Sequence, residues 1–150
     1  MKPLSEYAKK YLGIPYNEGI TKLSEQGFDC FGLIFYSIKD AMEESKDPRL
    51  EFLNDPKGLG FSSWAWWFRV LEEVDEKDRK PGDILFIKDA YLGESENVCG
   101  ENSGAHVAIF QKDINRVIHC IERLGVISSK LDLLRFSKRK IYRFKEVIEV

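Results

Sequence analysis

Three side chains in this 150-residue sequence could together carry out nucleophilic chemistry: Cys30, His106 and His119. Cys30 stands between the glycine-marked turn at Gly27 and the apolar run 33–36, a pattern typical of a helix start. The unpaired N–H groups and the dipole of a helix N-terminus stabilise a thiolate. Cys30 is therefore a candidate nucleophile, and a buried structural thiol is the alternative.

The two histidines are the only ones in the chain, and each lies in a short apolar run typical of a β-strand. A lone histidine in such a run is more often a buried core residue than a catalyst. A thiol nucleophile, however, needs an imidazole that takes its proton, and that imidazole needs a third polar group that fixes its tautomer. The chain order supplies these roles, with His106 as the base and His119 as the orienting group.

Five short motifs surround these residues. They are Leu12–Tyr16 with Gly19, Asp29–Leu33, Pro81–Phe86, Ala105–Ile109 and Val117–His119. In this order and with these gaps they resemble the NlpC-type cell-wall peptidases, a family of papain-like cysteine hydrolases, over most of the chain. The ending of the chain is similar to the phage-tail and gene-transfer branch of that family. Two residues differ from the usual pattern: Phe31 follows the cysteine where serine is common, and Ala105 precedes the first histidine.

The resemblance implies acyl transfer through a thioester intermediate. Cys30 would attack the scissile carbonyl, while His106 takes up the thiol proton and later protonates the leaving amine. The Cys30 backbone N–H and, by resemblance, the Tyr16 hydroxyl would bind the developing oxyanion. The implied substrate is a peptidoglycan stem peptide, cleaved between γ-D-glutamate and the diamino acid.

Asp29 has two interpretations that the sequence leaves open. As the residue before the helix it could be an N-cap, and by resemblance its carboxylate binds the free amine of a stem peptide. The activity has alternatives as well. The chain could be a thiol amidase or acyl hydrolase that acts on another substrate, or an inactive structural tail component of the same fold.

Charge and hydropathy bear on two classes of partner, nucleic acids and membranes. The net charge of −2 gives no electrostatic argument for nucleic acid or for an anionic membrane surface. No segment has the roughly 18 apolar residues of a membrane span, and the N-terminus lacks the apolar core of a secretory signal. We therefore expect a soluble protein without a signal peptide. It would be cytoplasmic or delivered to the cell wall by a phage tail or another carrier protein.

The three cysteines, Cys30, Cys99 and Cys120, have no metal-ligand spacing, and their odd number does not suggest a disulfide framework. The sequence therefore predicts no metal site and no cofactor. Cys120 follows His119 directly, so it should point to the opposite face of the same strand and be buried in the core.

The elements that must position these residues are predicted to be helices first and strands later. Ser5 is predicted to cap a short helix that stops at Gly13, and a long helix is predicted from Gly32 to about Glu44. Strands are predicted over Ile84–Lys88, His106–Gln111, Arg116–Ile121, Val126–Lys130 and Lys140–Phe144. This order indicates one α+β domain over residues 1–150, with the Cys30 helix packed on an antiparallel meander.

Two further segments have predicted roles. A helix is predicted over Trp64–Glu73, capped by Ser62 or Ser63. Its aromatic part Trp64–Phe68 would pack on the sheet, line the substrate groove or form a partner-docking patch. The polar segment Gly93–Gly104 is long for a strand connection and is predicted to form a mobile loop beside the site.

Overall fold

The computed structural model describes residues 2–17, 27–50, 70–92 and 105–145. Gly19, Cys99 and the segments 51–69 and 93–104 lie outside these ranges, and with them the predictions for the Trp64–Phe68 aromatics and for the loop. Within the described ranges the α-helices are α1 (Leu4–Ala8) and α2 (Cys30–Ser45), and short 3-10 helices cover Lys9–Tyr11, Glu76–Asp78 and Leu131–Leu133. The strands are β1 (Leu71–Val74), β2 (Ile84–Lys88), β3 (Tyr91–Leu92), β4 (Ala105–Phe110), β5 (Arg116–Ile121), β6 (Gly125–Lys130), β7 (Leu134–Arg135) and β8 (Lys138–Phe144).

In the described part of the chain, six strands form one antiparallel sheet in the order β1-β8-β2-β4-β5-β6, and β3 pairs with β7 separately. Helix α1 packs on α2, and α2 packs on β4 and β5. The predicted α+β fold, with the Cys30 helix on an antiparallel sheet, is confirmed. The order is not a simple meander, however, because the last strand β8 inserts between β1 and β2.

Helix α2 carries the predicted apolar face: Ile34, Ile38, Ala41 and Met42 are fully buried. These residues recur at helical spacing, so one stripe of the helix lies against the rest of the core. The helix ends where Lys46 adopts a left-handed conformation with φ of 54°. It begins at Cys30, two residues before the predicted start.

The Pro81-Gly82-Asp83 turn fixes the start of β2. Asp83 is buried, and its carboxylate accepts the backbone N–H of Lys80 at 2.8 Å and two N–H groups of Arg143 at 2.9 Å each. Because Arg143 belongs to β8, this paired contact ties the turn to the neighbouring strand, and two parallel N–H···O bonds fix its geometry. The third motif of the sequence is therefore a structural corner of the sheet.

Ser5 does not cap α1, so this prediction is wrong: the backbone N–H of Glu6 bonds to the Pro3 carbonyl, the helix begins two residues earlier than predicted, and Ser5 is buried inside it. The helix predicted over 64–73 lies mostly outside the described residues, and Val70 is helical. Its predicted end is wrong, because residues 71–73 belong to β1, where Leu71 pairs with Phe144. The ladder to β8 satisfies the backbone of these residues, and tertiary pairing of this kind overrides local helix propensity.

The five predicted strands are all present, with starts that differ by up to two residues. Strands β2 and β5 have the predicted bounds, whereas β4 and β6 each start one residue earlier. The short strands β1, β3 and β7 were not predicted. Two-residue strands such as β3 and β7 are too short for the alternation on which strand prediction depends.

Candidate active site

Cys30 is the first residue of α2 and is only 2% exposed. The helix that it begins packs against β4 and β5, the two strands that carry His106 and His119. The structure therefore places the candidate nucleophile on the helix that packs against both of the strands that carry the candidate histidines. At this position the helix N–H groups and the macrodipole favour negative charge on sulfur.

Asp29 is the N-cap of α2. Its side chain accepts the backbone N–H of Gly32 at 2.8 Å, which satisfies one of the unpaired donors of the first turn. Burial raises the pKa of this carboxyl, and backbone N–H donors from Gly32 and Phe31 oppose that shift. The capping interpretation of Asp29 therefore has a direct geometric basis, and the substrate-amine interpretation stays a prediction.

The segment that carries Tyr16 lies beside the residues that precede α2. The Phe28 N–H bonds to the Pro15 carbonyl at 3.1 Å, and the Asn17 N–H bonds to the Phe28 carbonyl at 3.0 Å. These two bonds form a short parallel bridge between Tyr16 and Phe28. Half-buried Tyr16 is thus held next to the turn that leads into Cys30, at the end of the fold where an oxyanion donor would be needed.

The two histidines contact each other. His106 Nε2 lies 2.9 Å from His119 Nδ1, and both residues are buried. Burial and then the neighbouring His119 lower the pKa of His106 well below its usual value, and burial lowers the pKa of His119 to about 4. Both rings are therefore neutral near pH 7, and a single proton occupies the contact between them.

This contact selects the atom of His106 that can act as a base. Since Nε2 of His106 faces His119, the nitrogen that would take a thiol proton is Nδ1. A base must hold a lone pair at that nitrogen, so the proton of the neutral ring has to reside on Nε2 and point at His119. The contact is compatible with an orienting role for His119, and that role stays a prediction.

A further polar residue, Ser129, continues this contact. Its hydroxyl oxygen lies 2.8 Å from His119 Nε2, and the residue is 6% exposed on β6. The sequence analysis did not single it out. Side chains alternate between the two faces of β6, so one of the adjacent serines Ser128 and Ser129 must lie on the face of His119. Only the register of β6 with β5 decides which of them it is.

Cys120 is fully buried, which confirms the prediction for this residue. Its thiol donates a hydrogen bond to the Phe28 carbonyl at 3.3 Å. Burial raises the pKa of this thiol, and Cys30 and Asp29 nearby raise it further. Cys120 is therefore a protonated structural thiol that supports the turn before the nucleophile.

The described ranges contain neither a metal-binding cluster nor a membrane-spanning helix. There, no group of three or more His, Cys, Asp or Glu side chains is placed to hold a metal ion. No α-helix in these ranges is long and apolar enough to cross a membrane.

Comparison with known proteins supports the resemblance. No family model matches the sequence. Gamma-DL-glutamyl hydrolase of Bacillus subtilis is 33% identical over 89 residues, which are 59% of this chain and 18% of that protein. The crystal structure of a lipoprotein-like protein of the NLP/P60 family from Staphylococcus aureus superposes with a TM-score of 0.53, covering 91% of this chain and 39% of the other at 21% identity.

The chain has the NLP/P60 fold. The NlpC-type recognition made from the sequence is confirmed by both matches, and neither tests the phage-tail branch. The chain spans only 18% and 39% of the lengths of these two proteins. Site roles for Cys30, His106, His119, Tyr16 and Asp29 stay predictions.

Proposed function

We propose that this chain is a cysteine hydrolase that cleaves bacterial cell-wall stem peptides beside γ-linked D-glutamate. The observation that carries the proposal is the buried contact of 2.9 Å between His106 and His119, on strands that pack against the helix begun by Cys30. The NLP/P60 fold supports the reaction class. The name of the Bacillus subtilis relative supports a γ-glutamyl bond as the target.

In the first half of the reaction, the Cys30 sulfur attacks the carbonyl carbon of the scissile amide. The thiol proton moves to Nδ1 of His106, and the carbonyl oxygen becomes an oxyanion. The Cys30 backbone N–H at the helix start and the Tyr16 hydroxyl donate to that oxygen. The imidazolium that forms on His106 donates through Nε2 to His119.

In the second half, the carbon–nitrogen bond breaks as His106 returns its proton to the leaving amine, which leaves a thioester on Cys30. Water then attacks the thioester and loses a proton to His106. The carbon–sulfur bond breaks, the acid product leaves, and the sulfur recovers its proton. The neutral resting state of His106, which follows from its lowered pKa, suits a base that takes and returns one proton while the thioester forms and another while it is hydrolysed.

Delivery of the activity to the wall by a phage tail or another carrier protein is part of the same proposal. It is supported by the likeness of the chain's ending, from Gly125 through Phe144, to the phage-tail and gene-transfer branch. Co-purification with a tail assembly would support it.

The bond can be identified with two synthetic tripeptides, L-Ala-D-Glu-diamino acid, joined through either the γ- or the α-carboxyl of glutamate. We expect cleavage after glutamate in the γ-linked peptide alone, with dipeptide and free diamino acid detected by mass spectrometry. The same method should detect new stem ends when purified peptidoglycan is the substrate. The Cys30→Ala chain serves as the blank. Release of intact stem peptides that carry no sugar would instead indicate an amidase that cleaves the amide between the sugar and alanine.

Asp29→Asn separates the two roles of Asp29, because asparagine is as good an N-cap as aspartate but carries no charge. If the carboxylate binds the substrate amine, this variant should raise KM for the free-amine tripeptide about tenfold or more, since a charged hydrogen bond is lost. KM for the N-acetylated tripeptide should not change. An equal loss on both peptides, with an unchanged melting temperature, would contradict amine recognition.

A further inference from the structure

Three buried side chains form a continuous hydrogen-bonded chain that crosses three strands. His106 on β4 contacts His119 on β5 at 2.9 Å, and the other nitrogen of His119 contacts Ser129 on β6 at 2.8 Å. His119 pairs with Ile127 in the β5–β6 register. Ser129, two residues further, therefore lies on the same face and diagonally across from His119.

Only two arrangements of protons satisfy this chain when both rings are neutral. In the first, His106 Nε2–H donates to His119 Nδ1, and His119 Nε2–H donates to the Ser129 oxygen. In the second, every bond is reversed: Ser129 donates to His119 Nε2, and His119 Nδ1–H donates to His106 Nε2. The second arrangement places the proton of His106 on Nδ1, where it blocks the acceptance of a thiol proton.

We propose that Ser129 is a positioning residue that holds this chain in the first arrangement by accepting the N–H of His119. While the Ser129 hydroxyl accepts this bond, the proton of His119 lies on Nε2, and Nδ1 of His119 is free to accept from His106. The proton of His106 then lies on Nε2, and its Nδ1 holds the lone pair that would receive the Cys30 proton. The same direction is needed when His106 becomes an imidazolium, because His106 must then donate to His119. The predicted effect on kcat rests on the proposed function. The predicted tautomers of the two histidines do not.

The chain offers a matched control on the same strand. Ser128 is adjacent, and its hydroxyl bonds to Gln111 and Arg116 rather than to a histidine. Ser128→Ala and Ser129→Ala remove the same atom from neighbouring positions. Ser129→Thr keeps a hydroxyl at the position and serves as the conservative variant.

The tautomers can be measured without any substrate. In ¹⁵N NMR spectra of the imidazole nitrogens at pH 7, we expect protonated Nε2 and unprotonated Nδ1 in both histidines of the wild-type chain. The Ser129→Ala chain should show a mixture of tautomers, and the Ser128→Ala chain should match the wild type. A proton on Nδ1 of His119 in the wild type would overturn the proposal, even if no variant folded.

The kinetic test uses the γ-linked tripeptide. Loss of one buried hydrogen bond should lower kcat about tenfold in Ser129→Ala, with KM unchanged because Ser129 is buried and acts through His119. Ser129→Thr should recover most of that loss, and Ser128→Ala should show none. An unchanged kcat in Ser129→Ala would overturn the positioning role. If the wild type cleaves no peptide, the proposed function fails, and the NMR tautomers still decide this inference.

Discussion

Replacing Cys30 by alanine should lower kcat for cleavage of the γ-linked peptide by at least about a thousandfold, because no other group can form the thioester. The variant should remain folded, since alanine is a good helix former and is smaller than cysteine. Circular dichroism and thermal melting check the fold, and product formation by mass spectrometry checks the loss.

Cys120→Ala is the matched control for this variant. Both thiols are buried, but Cys120 has its pKa raised and donates to the Phe28 carbonyl, so its role is structural. We expect a loss of about 1 kcal/mol in the free energy of unfolding and near-wild-type kcat. Comparable loss of kcat in the two variants, at equal stability, would contradict the assignment of Cys30 as the nucleophile.

The two thiols should also differ in alkylation. At about pH 6, well below the titration of a free thiol near about 8.5, iodoacetamide should modify Cys30 and leave Cys120 unmodified until the protein is unfolded. Peptide mapping distinguishes the sites. His106→Ala should slow the modification of Cys30, because the base that removes its proton is then absent.

Gly27→Ala should lower the free energy of unfolding by about 3 kcal/mol or more, because two penalties combine. Gly27 has a φ of +97°, and a Cβ atom there would lie 1.9 Å from the Pro15 carbonyl oxygen. Backbone would therefore have to move, and the bonds that hold Tyr16 beside Phe28 would break. Urea unfolding measures the stability, and kcat should fall further than the unfolded fraction explains.

Gly13→Ala isolates the backbone contribution to that loss. Gly13 has a similar φ of +90°, but nothing lies within 4 Å of the Cβ position. Only the strain of a left-handed alanine remains, which costs about 1–2 kcal/mol. If the two variants lost the same stability and retained the same kcat, the close approach of Gly27 to Pro15 would have no part in the site.

Much of the candidate site could be predicted from the sequence because its signals are local. Cys30 precedes an apolar run of helical period, and each histidine lies within a strand-like run. The residue types alone indicate thiol chemistry, and the chain order assigns the roles. The contact between His106 and His119 then follows once β4 and β5 are neighbours in the sheet.

The features that were missed depend on contacts between distant parts of the chain. Ser129 faces His119 through the register of β5 with β6, which a pattern of alternation does not determine. Residues 71–74 form β1 because they pair with β8, about seventy residues later. Ser5 has the residue type of a cap, but the carbonyl of Pro3 closes the first turn instead.

The position of β8 in the sheet affects how the chain can fold during synthesis. Strand β2 pairs with β4 on one side and with β8 on the other, so its second edge is covered only after residues 138–144 have been synthesised. Until then a growing or truncated chain presents a row of unpaired backbone groups beside the apolar residues of β2, an open template for association with other chains. Expression of chains cut before Lys138 should therefore give insoluble protein, because the sheet is complete only once β8 has been synthesised.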